Sequence, residues 1–187
     1  MSTPPAANLL PKLVRSIHWI SVLAIFFALG LAWLREIFDN DVLNATMLGF
    51  HRQLGLLVLM LWALRLIARW AHRNKQHGEV LPARLRFAGA ASHLALYVTL
   101  LAMPLLGWAM TNARGHAVSV LNTISLPVLV AADPDLADSL QDWHERGAWL
   151  LIGLISVHVL AALWHHWVRR DAVLASMLPL VLRLPKQ

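Results

Sequence analysis

Two histidines fourteen residues apart, His144 and His158, sit in a long apolar stretch, SLQDWHERGAWLLIGLISVHVLAALWHHW over residues 139–167. A buried imidazole without a partner is costly in hydrocarbon, so both rings need one. On an α-helix fourteen residues turn through about 1400°, which leaves the two side chains about 40° apart around the axis and about 21 Å apart along it. They share one face at two depths. His18 in RSIHWI lies about a turn into the first apolar segment, and His51 in LGFHRQLG stands at the start of the second. Paired by depth, His18 with His158 and His51 with His144, the four could grip two planar cofactors stacked across a membrane. Haem b fits, because imidazole is a usual axial ligand and a non-covalently held haem needs no cysteine, of which the chain has none. A single interfacial histidine is more often a hydrogen-bonding anchor than a ligand; four at matched depths on three segments are much harder to assign to coincidence.

The elements that must carry these residues follow from composition. Of 187 residues 58% are hydrophobic and 14% charged, which points to a membrane protein. Spanning takes about 20 apolar residues as a helix, and four stretches qualify, at about residues 14–35, 47–70, 87–112 and 139–169. They are long and rich in Leu and Ala and lack the alternation of barrel strands. The fold class expected is all-α, an integral membrane four-helix bundle forming a single domain over 1–187. Pro104 should bend the third span and free a carbonyl. The apolar stretch 118–131 is too short to span and should lie on the interface or cap the bundle, and DPDLADSLQDWHE reads as a helix start.

Twelve of the sixteen Lys and Arg flank the spans on one side: Lys12, Arg15, Arg65, Arg69, Arg73, Lys75, Arg84, Arg86, Arg169, Arg170, Arg183 and Lys186. Arg35, Arg52, Arg114 and Arg146 fall on the other. Both termini are therefore expected in the cytoplasm. The formal charge of +6 needs no nucleic acid, since anionic lipid and the positive-inside bias account for it. The N-terminal MSTPPAANLLPKL lacks a cleavable signal pattern.

Gly30, Gly55 and Gly147 could make room for a porphyrin edge, or simply serve small-residue helix packing. Arg15, Arg65 and Arg69 could pair with carboxylates at the inner end and Arg52 at the outer one, although positive-inside placement explains the inner three as well. His93, near the cytoplasmic end of the third span, could bond a haem propionate, contact quinone or cap the bundle. His165 lies about two turns beyond His158; with His166, Trp164 and Trp167 it could form a quinone site, with interfacial anchoring as the rival account of the last three. His72 and His77 read as solvated loop residues.

SIHW at 16–19, GFHRQLGLLVLMLWALRLIAR, SHLALYVTLLAMPLLGWAM, DWHERGAWLLIGLISVHVLAALWHHW and the closing SMLP resemble the bacterial cytochrome b561 family, within it the small di-haem cytochromes, over roughly residues 10–180. The resemblance implies an inner-membrane four-helix protein with two b haems, their iron held by His18, His51, His144 and His158. It also implies a superoxide:ubiquinone oxidoreductase, oxidising superoxide to oxygen at the periplasmic face and reducing ubiquinone. Local positive charge from Arg52, Arg114, Arg146 and His116 would have to steer superoxide, because eight acids (Glu36, Asp39, Asp41, Asp133, Asp135, Asp138, Asp142 and Glu145) lie on that side. Iron ligated by two histidines has no open position and suits electron passage.

The alternative is a haem-bearing subunit linking quinone to a soluble dehydrogenase or cytochrome, against which no extended docking domain is visible. A zinc or copper transporter is a third reading. Its metal would need ligands at about 2 Å, whereas these histidines are spread over two leaflets.

Overall fold

The computed structural model describes residues 12–71, 82–171 and 173–178; His72 and His77 lie outside them. The protein is all-α, with four helices long and apolar enough to cross a membrane. These are α1 (Lys12–Ile37), α2 (Asp41–Ala71), α3 (Ala83–Ala113) and α4 (Pro134–Trp164). A two-stranded hairpin, β1 (Ser119–Val120) and β2 (Ile124–Ser125), interrupts the α3–α4 connection. After α4 the chain passes through a π-helical turn, His165–Arg169, to the short α5 (Val173–Met177).

Local chemistry sets the helix starts. The Asn40 side chain accepts the Leu43 amide at 2.9 Å, and Asp133 accepts the Leu136 amide at 3.0 Å with Pro134 at the first helical position. Each supplies an acceptor to a backbone donor that has no partner within the helix. Inside the spans hydroxyls bond back to their own helix, Ser21 to the Ile17 carbonyl at 2.7 Å and Thr111 to Gly107 at 2.8 Å, so these two are not left unpaired in hydrocarbon. Helix α3 continues through Pro104.

The molecule is apolar outward. Between 6% and 17% of the residues in the most apolar window of each span are buried, and Phe26, Phe27, Trp33, Phe50 and Trp149 are exposed. In water such a surface would aggregate; in hydrocarbon it is solvated. The small core, Val14, Ile17, Ala24, Val58, Leu61 and Ala68, seals α1 to α2. Helix α4 packs along α3, α3 also meets α2, and α4 stands off from α1 and α2. That separation leaves space between α4 and the first helix pair.

The 118–131 stretch caps the bundle. Val118, just before the hairpin, is buried. In the three-residue loop between Val120 and Ile124, Leu121 and Asn122 both take positive φ, 50° and 57°, and the Thr123 amide donates to the Val120 carbonyl at 3.0 Å. Gln53 pins it from α2: its Nε2 donates to the Ser119 carbonyl at 2.8 Å and its Oε1 accepts the Leu121 amide at 2.9 Å. From α3, Asn112 donates to the His116 carbonyl and accepts the Leu129 amide, both at 2.9 Å. Gln53→Ala removes both α2 bonds, worth about 1 kcal/mol each. Amide hydrogen exchange at Leu121 should quicken at least about tenfold, with α1 exchange unchanged; equal exchange at Leu121 in both proteins would show that Gln53 does not hold the hairpin.

Candidate functional site

Four helices bring the singled-out histidines together across the gap beside α4. His51 of α2 and His144 of α4 have ring centroids 6.1 Å apart with planes at 74°. His18 of α1 and His158 of α4 stand 6.4 Å apart at 68°. Two imidazoles on one metal, with about 2 Å from metal to nitrogen and about 1 Å from nitrogen to ring centre on each side, place their centroids about 6 Å apart. Both pairs match that spacing. Rings joined by a direct N–H···N hydrogen bond would be closer, with centroids about 5 Å apart.

The second partner of each ring matters as much as the first. His51 Nδ1 lies 2.8 Å from the Ala28 carbonyl. A carbonyl only accepts, so Nδ1 carries the proton and Nε2 keeps its lone pair for a metal. His144 is set by Gly107: a Cβ there would lie 3.3 Å from His144 Cε1, so a missing side chain lets the ring lie against α3. His144 Nδ1 and His18 Nδ1 are both buried with no hydrogen-bond partner.

An apolar cleft surrounds the His51–His144 pair, walled by groups of α1, α2, α3 and α4 that include Leu29, Leu56, Leu100 and Leu151. Its lining suits a planar apolar cofactor with polar groups at its edge. Gly55 lies on its wall, and a Cβ there would meet no atom within 4 Å. Trp108, also on the wall, has a buried Nε1 with no partner. Gly147 serves packing instead, since a Cβ there would meet Met103 Sδ at 2.6 Å, and Gly30 faces open space.

Positive charge collects at that end. Arg52 is on the cavity wall, close enough to Arg35 and Arg114 to be repelled by both. None of the three forms an ion pair among the described residues, though Arg114 Nη2 donates to Gln141 Oε1. Arg52 and Arg35 are half-buried and Arg114 is exposed; half-buried cations without acidic partners favour an anion. His116 is exposed in the loop, and Arg146 pairs loosely with Asp142 at 3.9 Å in the open, an interaction worth little.

At the other end His93 stands 5.6 Å from His158, ring to ring. Arg65 and Arg69 sit over the Tyr97 ring at 5.8 and 5.7 Å, and Arg65 Nε and Tyr97 Oη are buried without partners. Arg15 is buried and reaches the Leu178 carbonyl at 3.5 Å, while Trp19 donates to the Met177 carbonyl at 2.8 Å. His165 bonds Asp171 and stacks edge-on to Trp164. His166 and Trp167 are exposed. Sequence reasoning missed Gly107, Gln53 and Asp171. The first two carry no signal of their own, but an acid in the basic run HHWVRRD could have been noticed.

An apolar four-helix bundle that holds facing imidazoles at two depths has the architecture of a membrane cytochrome. The family model of prokaryotic cytochrome b561 matches residues 9–180, and the chain belongs to that family. It is similar to cytochrome b561 homolog 2 of Escherichia coli, 31% identical with 86% of each chain covered. It is also similar to cytochrome b561 homolog 1 of the same organism, 30% identical over 87% of this chain and 93% of the relative. A probable superoxide oxidase, CybB, of Yersinia pestis is 28% identical over 87% and 92%. The protein is thus a multi-pass inner-membrane electron-transfer protein of a family that carries haem b.

Proposed function

We propose that the protein is a transmembrane di-haem b cytochrome, with His18 and His158 as axial ligands of one haem and His51 and His144 of the other. It takes electrons from superoxide at the periplasmic face and delivers them to ubiquinone at the cytoplasmic side. Both termini lie in the cytoplasm, an orientation that the distribution of Lys and Arg supports. The observation that carries the reading is the spacing of the two ring pairs, 6.4 and 6.1 Å, at depths about 21 Å apart along α4. When bound, haem b would supply reversible one-electron chemistry, its iron held by a histidine from each side of the pair.

The chain's own residues do the rest. The Ala28 carbonyl fixes the His51 tautomer, and Gly107 sets the reach of His144. Arg52, with Arg35 and Arg114 nearby, holds propionate at the outer end and gives superoxide a local positive target on an otherwise acidic face. Arg15 and His93 are the corresponding inner groups. His165, beside the lipid-exposed Trp164 and Trp167, meets the quinone arriving through the bilayer. Two superoxide anions give up one electron each and leave as oxygen, and ubiquinone takes the two electrons and two protons to become ubiquinol. The name of the Yersinia pestis relative supports the choice of donor.

Rapid mixing of the purified, oxidised protein with superoxide, followed at the haem α band with and without a soluble ubiquinone, tests this. Prompt haem reduction and quinone-dependent reoxidation are expected. Absence of reduction by superoxide alongside ready reduction by quinol would reject the donor and move the protein to a quinol-linked carrier serving a soluble partner.

A further inference from the structure

Asp171 takes no part in either histidine pair, yet its side chain is 7% exposed at an end of the molecule rich in arginine. Its Oδ2 lies 2.5 Å from His165 Nδ1 and accepts Arg169 Nε at 3.1 Å. Its Oδ1 accepts the Val173 amide at 3.2 Å, closing the turn into α5. The backbone is shaped to bring the pair together. Helix α4 gives way to the π turn, Arg170 takes the left-handed conformation at φ 53°, and the amides of Arg170 and Asp171 both donate to the His165 carbonyl. A non-glycine residue seldom takes that region, and such strain persists where surrounding structure enforces it, often at functional sites.

Burial pushes Asp171 upward, but the hydrogen bonds from His165, the Val173 amide and Arg169 outweigh it and hold the carboxyl below its ordinary value. It is therefore ionised at physiological pH and can only accept. Nδ1 of His165 must carry the proton. In the neutral ring Nε2 then presents a lone pair, and in the imidazolium it presents a proton. A carboxylate behind an imidazole in this way fixes the tautomer and stabilises the charged ring while Nε2 exchanges its proton.

We propose that Asp171 is a positioning residue for proton delivery: it holds His165 so that Nε2 donates one proton to a carbonyl oxygen of the quinone as that molecule is reduced. The inference rests on ubiquinone being the acceptor at this end. For each two-electron reduction two protons are consumed. His165 supplies one and regains it from cytoplasmic water, and the other carbonyl oxygen takes its proton from water directly. The charged groups joined to the ring are Asp171 and, through the same carboxylate, Arg169 on the π turn; α5, VLASM, which packs against the turn, carries none. Arg169 shares the Asp171 oxygen with His165 and so tempers the carboxylate's pull on the ring.

The test uses the haem-loaded full chain in detergent or nanodiscs. Haems are pre-reduced with dithionite, excess reductant is removed, and reoxidation by decylubiquinone is followed from pH 5.5 to 9 in the wild type, Asp171→Asn, His165→Gln and the double variant. Asparagine keeps the side-chain shape and an acceptor for the Val173 amide, and unchanged haem content verifies folding. Without the carboxylate nothing holds the His165 tautomer in the donating arrangement, so the rate in Asp171→Asn should be down about tenfold at pH 8. The double variant should be no slower than His165→Gln, because both changes act through one group. Nitrogen-15 spectra of histidine-labelled reduced protein should show His165 protonated at Nδ1 in the wild type and in mixed tautomers in Asp171→Asn. Superimposable pH profiles and tautomers in wild type and Asp171→Asn would overturn the proposal. A wild type that no quinone reoxidises at any pH would instead overturn quinone as the acceptor, and the inference with it.

Discussion

His144→Ala is expected to yield a folded protein that purifies with one haem per chain in place of two. The substitution removes one imidazole of the 6.1 Å pair and leaves the 6.4 Å pair, about 21 Å further along the same helix, untouched. His51→Ala should lose the same haem, and the variant lacking both should lose nothing more, since either change alone already breaks the site. His18→Ala and His158→Ala should lose the other haem, and His18→Ala with His144→Ala should lose both. Strong non-additivity within a pair and simple additivity between pairs is what two separate sites demand. Pyridine haemochrome quantification against protein concentration reads the count, and a redox titration of each single variant reads which potential is missing. If His18→Ala and His144→Ala removed the same haem, the pairing by depth would be wrong.

The second large effect is expected from Gly55→Phe. A side chain at position 55 starts from the wall of the His51–His144 cleft with no atom within 4 Å of its Cβ, so a phenyl ring occupies the space in which a porphyrin would lie. Phenylalanine is also a better helix former than glycine by roughly 0.5 kcal/mol, and its ring gains packing contacts inside the bundle. The apoprotein should therefore be as stable as wild type or more so, while the haem between His51 and His144 is excluded. Loss of a haem without loss of stability separates a filled site from a damaged fold. The measurements are haem content and the thermal midpoint of haem-free protein made under haem limitation. A variant that keeps two haems would show that the cavity is not the binding site.

Much of this was legible because the relevant distances lie along single helices. The rise of 1.5 Å and turn of 100° per residue put His144 and His158 on one face at two depths whatever surrounds them, and the absence of charge over about 20 residues marks each span whatever its neighbours. The start of α4 could be read from Asp133 and Pro134, because capping is a matter of adjacent atoms. The hairpin at 119–125 was harder. Its turn, Leu121–Asn122, lacks the glycine that usually announces positive φ, and it is held by Gln53, 66 and 68 residues away along the chain.

By itself, then, the sequence determined an all-α membrane bundle and a set of histidines matched in depth, since chain geometry and the hydrophobic requirement of a bilayer act locally. Only the tertiary structure decided how near the rings of different helices come, because that depends on α4 packing against α3 while standing off from α1 and α2. It alone decided that Ala28 orients His51 and that Gly107 admits His144, contacts made by backbone atoms and by a missing side chain. The His165–Asp171 pair was decided in the same way: a π turn and one left-handed arginine fold six residues back on themselves, and no pattern of polar and apolar residues encodes that reversal.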